Sequence, residues 1–149
     1  MDFVIKQISK DHLVQNINQY IDILKDVPNE YWGEDNFLVE LPDKFKLSCC
    51  VMVDDKLIGY IISTSKDSLT AHINKFMVLS KYRGSGIGSR LFYFYENLVE
   101  INKMNLITLK VYKNNEPAIR FYLRNGFVHE SEGIDSVNSE VLVKMRKEL

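Results

Sequence analysis

Cysteine, proline and histidine are scarce in this chain, and each scarcity excludes something. The two cysteines, Cys49 and Cys50, are adjacent. Neighbouring strand residues point to opposite faces, so the pair is badly placed for a mutual disulfide. Two buried or half-buried thiols in a reducing compartment are expected instead, and with them a cytoplasmic location. His12, His72 and His129 are scattered without metal-ligand spacing, which argues against a zinc site. No apolar run reaches the roughly eighteen residues of a membrane-spanning helix. Met1–Lys6 lacks the charged and apolar regions of a secretory signal. Repeats, linkers and low-complexity tracts are also absent, so residues 1–149 read as a single domain, long enough for a substantial core.

Net charge is close to balance, at −1, but it is unevenly spread. Residues 1–48 hold nine acids against five bases, and residues 75–124 hold nine bases against three acids. A basic half suits a polyanionic ligand and an acidic half suits a cationic amine, although solvated helix faces would look the same. The basic residues are dispersed over several elements rather than gathered with a recognition motif, which argues against nucleic acid.

Periodicity predicts a mixed α/β chain. Residues 2–8 alternate as a strand. Asp11 opens a helix with apolar positions at Leu13, Ile17, Ile21 and Leu24, ending at Pro28. Residues 29–44 read as irregular, with a short helix around Tyr31–Leu38. Lys46–Val53 and Lys56–Ser65 form a hairpin about Asp54-Asp55, and Thr70–Val78 is a third antiparallel strand. Ile87, Leu91, Phe94, Tyr95 and Leu98 make the buried stripe of a helix ending near Lys103. Strand 106–111, helix 115–125, strand 127–131 and strand 140–145 complete the chain.

Three of the seven glycines stand at alternate positions, Gly84, Gly86 and Gly88, between a strand and a helix. The first helical turn is thus stripped of side chains, its N–H groups have no intrahelical partner, and the dipole with Lys81 and Arg83 makes the turn positive. This is an anion cradle, best suited to phosphate. It is not a Walker A loop, since Gly88 is followed by Ser89-Arg90 and no lysine. It is not a dinucleotide fingerprint either, because Ser89 stands where the third glycine belongs. A nucleotide-binding regulator is disfavoured on both counts. The pattern Arg-x-x-Gly-x-Gly at Arg83, Gly86 and Gly88 resembles the pyrophosphate loop of the GNAT superfamily, the acetyl-CoA-dependent N-acyltransferases.

A second segment carries the same resemblance. In Asn115–Phe127, Asn115 is a good N-cap, Pro117 sits in the first turn and Gly126 is a C-terminal stop. Its Asn-x-x-Ala-x-x-x-Tyr-x-x-x-Gly-Phe run is similar to the second signature of that superfamily. The resemblance implies a mixed, mostly antiparallel sheet of about seven strands flanked by about four helices. It also implies a splayed parallel pair at 70–78 and 106–111.

The resemblance implies acetyl transfer from acetyl-CoA to a primary amine in a ternary complex, in a fold compatible with a homodimer. The backbone of Gly84, Ser85, Gly86, Ile87, Gly88 and Ser89, with Arg83, would hold the pyrophosphate. The Phe76-Met77-Val78 strand would pair with the pantetheine arm and turn a main-chain N–H to the thioester oxygen. Asn115 would contact that arm as well as capping its helix, and Tyr122 would protonate the leaving sulfur. The base is less defined. In ribosomal-protein alanine acetyltransferases a glutamate stands five residues before the asparagine; here that residue is Lys110. His72, predicted to share a face with Asn74 and Phe76, is one candidate base. Glu30, Glu34 and Tyr31 are equally conceivable, and Tyr31 and Glu34 are candidate acceptor contacts. Tyr31-Trp32 could line the acceptor site or cap the core. With no evident carboxylate base, a non-catalytic CoA-binding sensor is the alternative.

Overall fold

Two strands of this chain, β2 (Cys49–Val53) and β3 (Lys56–Ser65), are almost continuously apolar, and both are buried along nearly their whole length. A strand of that kind needs cover on both faces, which makes it the middle of a layered fold. The computed structural model describes residues 2–25, 27–28 and 30–149 and shows that cover. Before β2 come β1 (Val4–Gln7), α1 (Lys10–Gln15), α2 (Ile17–Ile23), α3 (Glu34–Leu38) and α4 (Lys44–Leu47). After β3 come β4 (Thr70–Val78), α5 (Ile87–Ile101), β5 (Leu106–Tyr112), α6 (Glu116–Arg124), β6 (Val128–Ile134) and β7 (Val141–Glu148).

The seven strands form one sheet in the order β1-β2-β3-β4-β5-β7-β6, antiparallel everywhere except between β4 and β5. One face packs against α5 and α6, with Leu91, Phe92, Tyr95, Tyr122 and Phe127 buried against Val51, Ile61, Ile107 and Leu109. The other face carries α1, α2 and α3, through Leu13, Tyr20, Ile23 and Phe37 against Cys50, Leu57, Tyr60 and Ile62. Cys49 and Cys50 point into opposite cores, and both are free. Burial pushes the Cys50 thiol up to about 11 and raises Cys49 as well, so neither is a thiolate at neutral pH.

The predicted fold class holds, with corrections in detail. Among the described residues there are six α-helices rather than about four. The helix predicted from Asp11 breaks at Asn16, whose side-chain amide donates to the His12 carbonyl at 2.9 Å and competes with the helical ladder. Its second half ends at Ile23, ahead of Pro28. Lys46 and Leu47, predicted to begin a strand, belong to α4. There the buried Lys44 ammonium collects the Phe37 and Val39 carbonyls at the end of α3, and these bonds hold the turn helical. The short helix predicted at Tyr31–Leu38 is confined to Glu34–Leu38, and Asn29, where the irregular segment is expected to begin, lies outside the described residues. The last two strands run to Ile134 and Glu148, further than their apolar residues suggested, because β6 is an exposed edge whose sequence need not alternate.

Gly59 on β3 permits a close approach to β4. A Cβ there would stand 2.7 Å from the Met77 carbonyl oxygen and 3.3 Å from Val78 Cα. Gly59→Ala is expected to destabilise the fold by about 1–3 kcal/mol through overpacking. Urea denaturation reads that loss, and a variant as stable as the wild type would contradict it.

Candidate functional site

The site begins where a ladder stops. β4 and β5 pair only over Thr70–Ile73 against Leu106–Leu109. Next comes Asn74, an extra residue in β4: Ser63 on β3 faces Ile73, and Ile62 faces Lys75. This β-bulge bends β4 away from its parallel neighbour. From there Lys75–Val78 pair with β3 alone and Lys110–Tyr112 with β7 alone. A wedge opens between them, lined by main-chain N–H and C=O groups without a ladder partner. Such groups call for water or an extended ligand.

The bulge also corrects a prediction. His72, Asn74 and Phe76 do not share one face, because the extra residue shifts the alternation. Phe76 and Val78 pack into the α5–α6 core, where Phe76 stacks on Phe92 at 6.3 Å. Met77 packs on the opposite face. His72 stays at the closed end of the wedge, its Nδ1 2.8 Å from the Thr108 hydroxyl across the intact ladder.

Beyond Val78, a 3₁₀ turn at Ser80–Tyr82 leads into the glycine turn. Gly84 (φ +77°) and Gly86 (φ +87°) both adopt the left-handed conformation, and a Cβ at either would meet nothing within 4 Å. The backbone there requires glycine, and the space above it is open. Gly86 caps α5, and Arg90 is the first N–H of the helix to find a carbonyl, Gly86 O at 3.1 Å. Ile87, Gly88 and Ser89 therefore present the free N–H groups of a fifteen-residue helix. Arg83 bends back, its Nε donating to Val78 O at 3.0 Å, and so ties the cradle to the end of β4. The Ser85 hydroxyl donates to Tyr82 O within the turn. Ser89 borders a cavity of about 420 Å³ with Arg90 and Tyr93 on the outer side of α5.

α6 supplies the third wall. Asn115 accepts the Ala118 N–H at 3.4 Å as its N-cap. Tyr122 is buried, its ring 6.3 Å from Phe76 and 5.4 Å from Phe127. Burial raises its phenol above the ordinary tyrosine value, so it is protonated at neutral pH. Phe76 at the wedge thus contacts Phe121 and Tyr122 of α6, and the glycine turn follows directly from the end of β4.

The candidate acceptor residues lie on the other face. Glu30 is tied down: one carboxylate oxygen takes Lys75 at 2.5 Å and the other takes the N–H groups of Tyr31 and Trp32 at 3.0 Å each. It pins the loop before α3 to β4, with three donors on its two oxygens. Trp32 packs edge-on to Phe37 and under the Lys75 ammonium, so it caps the core. Tyr31 is 66% exposed, and Glu34 is exposed in the first turn of α3. Sequence reading missed the Glu30–Lys75 pair. It also missed the Tyr112 hydroxyl, which donates to Asp135 at 2.8 Å and accepts from Asn138 at 3.0 Å, fixing the β6–β7 loop at the wedge mouth. Forty-five and twenty-three residues separate these partners, and no local pattern signals either contact.

A splayed parallel pair opening onto a glycine-capped helix defines an acyltransferase-type fold. A model of the acetyltransferase (GNAT) family matches residues 17–127, and the chain belongs to that family. Over 73 residues it is 33% identical to spermine/spermidine N(1)-acetyltransferase of Bacillus subtilis (strain 168). That match spans 48% of this chain and 47% of the relative, about half of each. Among solved structures, Ard1 from Thermoplasma volcanium superposes with a TM-score of 0.89 at 23% identity, covering 100% of this chain and 99% of that one. The NatC complex bound to Gag peptide and CoA contains a chain with a TM-score of 0.86 at 18% identity, with coverage of 100% and 99%. At these identities the structural likeness concerns the fold.

His72 yields a test. Burial, then Lys66, Lys110 and Lys144, lower its pKa from 6.5 to about 4. Below pH 6.5 the unfolded imidazole takes a proton that the folded one refuses. Its contribution to stability is therefore full above pH 6.5 and drains as pH falls towards 4. His72→Gln should flatten the loss of stability across that window, and the wild-type imidazole should titrate by NMR near pH 4. A midpoint near 6.5 would contradict the packing described.

Proposed function

We propose that residues 1–149 act as one domain that transfers an acetyl group from acetyl-CoA to a primary amine by direct attack in a ternary complex. The observation that carries this is the wedge itself: unpaired strand backbone leads directly to a helix N-terminus stripped of side chains, with a protonated phenol beside it. An extended, amide-bearing arm ending in a pyrophosphate matches both halves of that surface. Ile87, Gly88 and Ser89 N–H groups, with Gly84, Ser85 and Gly86 before them, would hold the phosphates. Arg83 would add charge, and Phe76–Val78 with Asn115 would hold the arm.

In the chemical step the amine nitrogen attacks the thioester carbonyl carbon. A C–N bond forms and the C–S bond breaks. A strand N–H from 76–78 stabilises the developing oxyanion, and Tyr122 donates a proton to the leaving sulfur. An alkylammonium ion, with a pKa of about 10.4, must first lose a proton. We assign its acceptor to His72, which is uncharged and lies on the acceptor face, and we place Tyr31 and Glu34 at the outer rim of that site. At a pKa of about 4, His72 is a weak base. The commitment of Glu30 to Lys75 favours the second reading, a CoA-binding sensor without turnover.

Thiol release from acetyl-CoA with a panel of amines separates the two. Tyr122→Phe is expected to lower kcat by about 100-fold or more with little change in acetyl-CoA affinity. His72→Gln should cost about tenfold, less than usual for a general base because so little driving force is available. Gly86→Glu should abolish CoA binding by calorimetry. CoA binding without thiol release for any amine would establish the sensor reading, and undiminished CoA binding by Gly86→Glu would refute the cradle.

A further inference from the structure

Resting on the transferase reading, we infer that the acceptor carries an anionic group, a carboxylate or phosphate, which docks on a lysine-lined cavity beside the wedge mouth. The cavity measures about 280 Å³ and is lined by Lys66, Lys110 and Lys144, with Ser131, Gly133 and Leu142. It lies on the sheet face opposite α5 and α6. Leu109 and Val111 point into the α5–α6 core, so Lys110 between them points the other way. Lys110 also follows Leu109, the last β5 residue paired with β4. The cavity therefore begins where the wedge begins, on the side of the Tyr31 and Tyr112 loops.

The charges on this face are only partly compensated. Lys110 and Lys144 stand directly opposite each other on β5 and β7, an arrangement that costs stability. One rung further, Arg146 faces Thr108 and extends the positive row. Two carboxylates stand against that row: Glu130, 3.0 Å from Lys144 and 3.8 Å from Arg146, and Glu148, 2.9 Å from Arg146. Glu132 on the cavity rim is taken by Lys113 at 3.1 Å and His129 at 3.2 Å. Among the described residues neither Lys66 nor Lys110 has an ion-pair partner. The lysines depress His72 and one another, the mark of ammonium groups converging on one volume. A bound anion would offset this repulsion. It would also restore proton affinity to His72, so that the imidazole becomes a better base when the right acceptor is in place.

Four acids of the N-terminal half are already paired with lysines. Glu30 is paired with Lys75, Glu40 with Lys10, Asp22 with Lys25 and Asp43 with Lys46.

The test compares amines matched except for charge. Glutamate against glutamine, and tripeptides with glutamate against glutamine at the second position, separate an amino-acid-sized source of the anion from a peptide. Spermidine is the polycation arm. We expect kcat/KM at least tenfold higher for one acidic member than for its amide, carried by KM, with the ratio falling towards one in Lys66→Gln/Lys110→Gln. Equal values for acid and amide, or a preference for spermidine, would overturn the inference while leaving the transferase reading intact.

A second measurement does not need turnover. N-acetylglutamate should raise the NMR-observed pKa of His72 in the wild type by about one unit or more, and N-acetylglutamine should not. The double lysine variant should raise it without ligand. An unmoved His72 in both would refute the cavity as an anion site. If His72 responds but no amine is acetylated, the anion site stands and the transferase reading fails.

Discussion

The parallel ladder between β4 and β5 lasts four residues and then opens, and the rest of the site depends on that opening. A buried strand with unpaired main-chain groups is costly unless something takes the place of the missing neighbour. The bulge at Asn74 forces this state, since β4 must remain in register with β3 on its other side. The bend turns Phe76 and Val78 into the α5–α6 core and delivers the chain to the glycine turn. Because α5 grows from that turn, the free N–H groups of the helix and those of the strand lie end to end. Aromatic packing holds this arrangement: Phe76 touches Phe92, Phe121 and Tyr122, so strand and both helices are located by the same cluster.

The two faces of the sheet divide the labour. The α5–α6 face holds the cradle and the phenol, where burial keeps Tyr122 protonated. The opposite face is helix-covered over β2 and β3, where Tyr20, Tyr60 and Phe37 pack together. Towards β5 and β7 it gives way to polar and basic residues. The Glu30–Lys75 pair stands near that change, holding the loop before α3 against β4. The Tyr112–Asp135–Asn138 bonds hold the β6–β7 loop in the same way. Both loops are pinned by side chains of the two strands that part, so the wedge and its acceptor flank are mechanically one object.

Much of the fold was legible because it is written in local patterns. The strands reveal themselves by apolar content, and α5 and α6 by stripe, cap and stop. The cradle reveals itself because Gly84 and Gly86 must occupy left-handed conformations. Less legible were features in which one side chain overrides a local preference. Asn16 breaks a helix by bonding His12, and Lys46 and Leu47 join a helical turn that the Lys44 ammonium ties to the end of α3. The face of His72 was misjudged because a bulge has no reliable signature in the bulged strand alone; it is defined by the register of the partner.

From its sequence alone the chain's class and the glycine turn that opens α5 were determined, since both follow from short-range spacing of glycine, asparagine and tyrosine. Tertiary structure decided which charges meet. Of the acidic residues that look like a lure for cations, Glu30 and Glu40 are taken by lysines far along the chain. Lys66, Lys110 and Lys144, far apart in the sequence, converge on one cavity. Coulomb energy depends on distance in space, and β5, β7 and the β3–β4 turn, arriving from separate parts of the chain, set that distance.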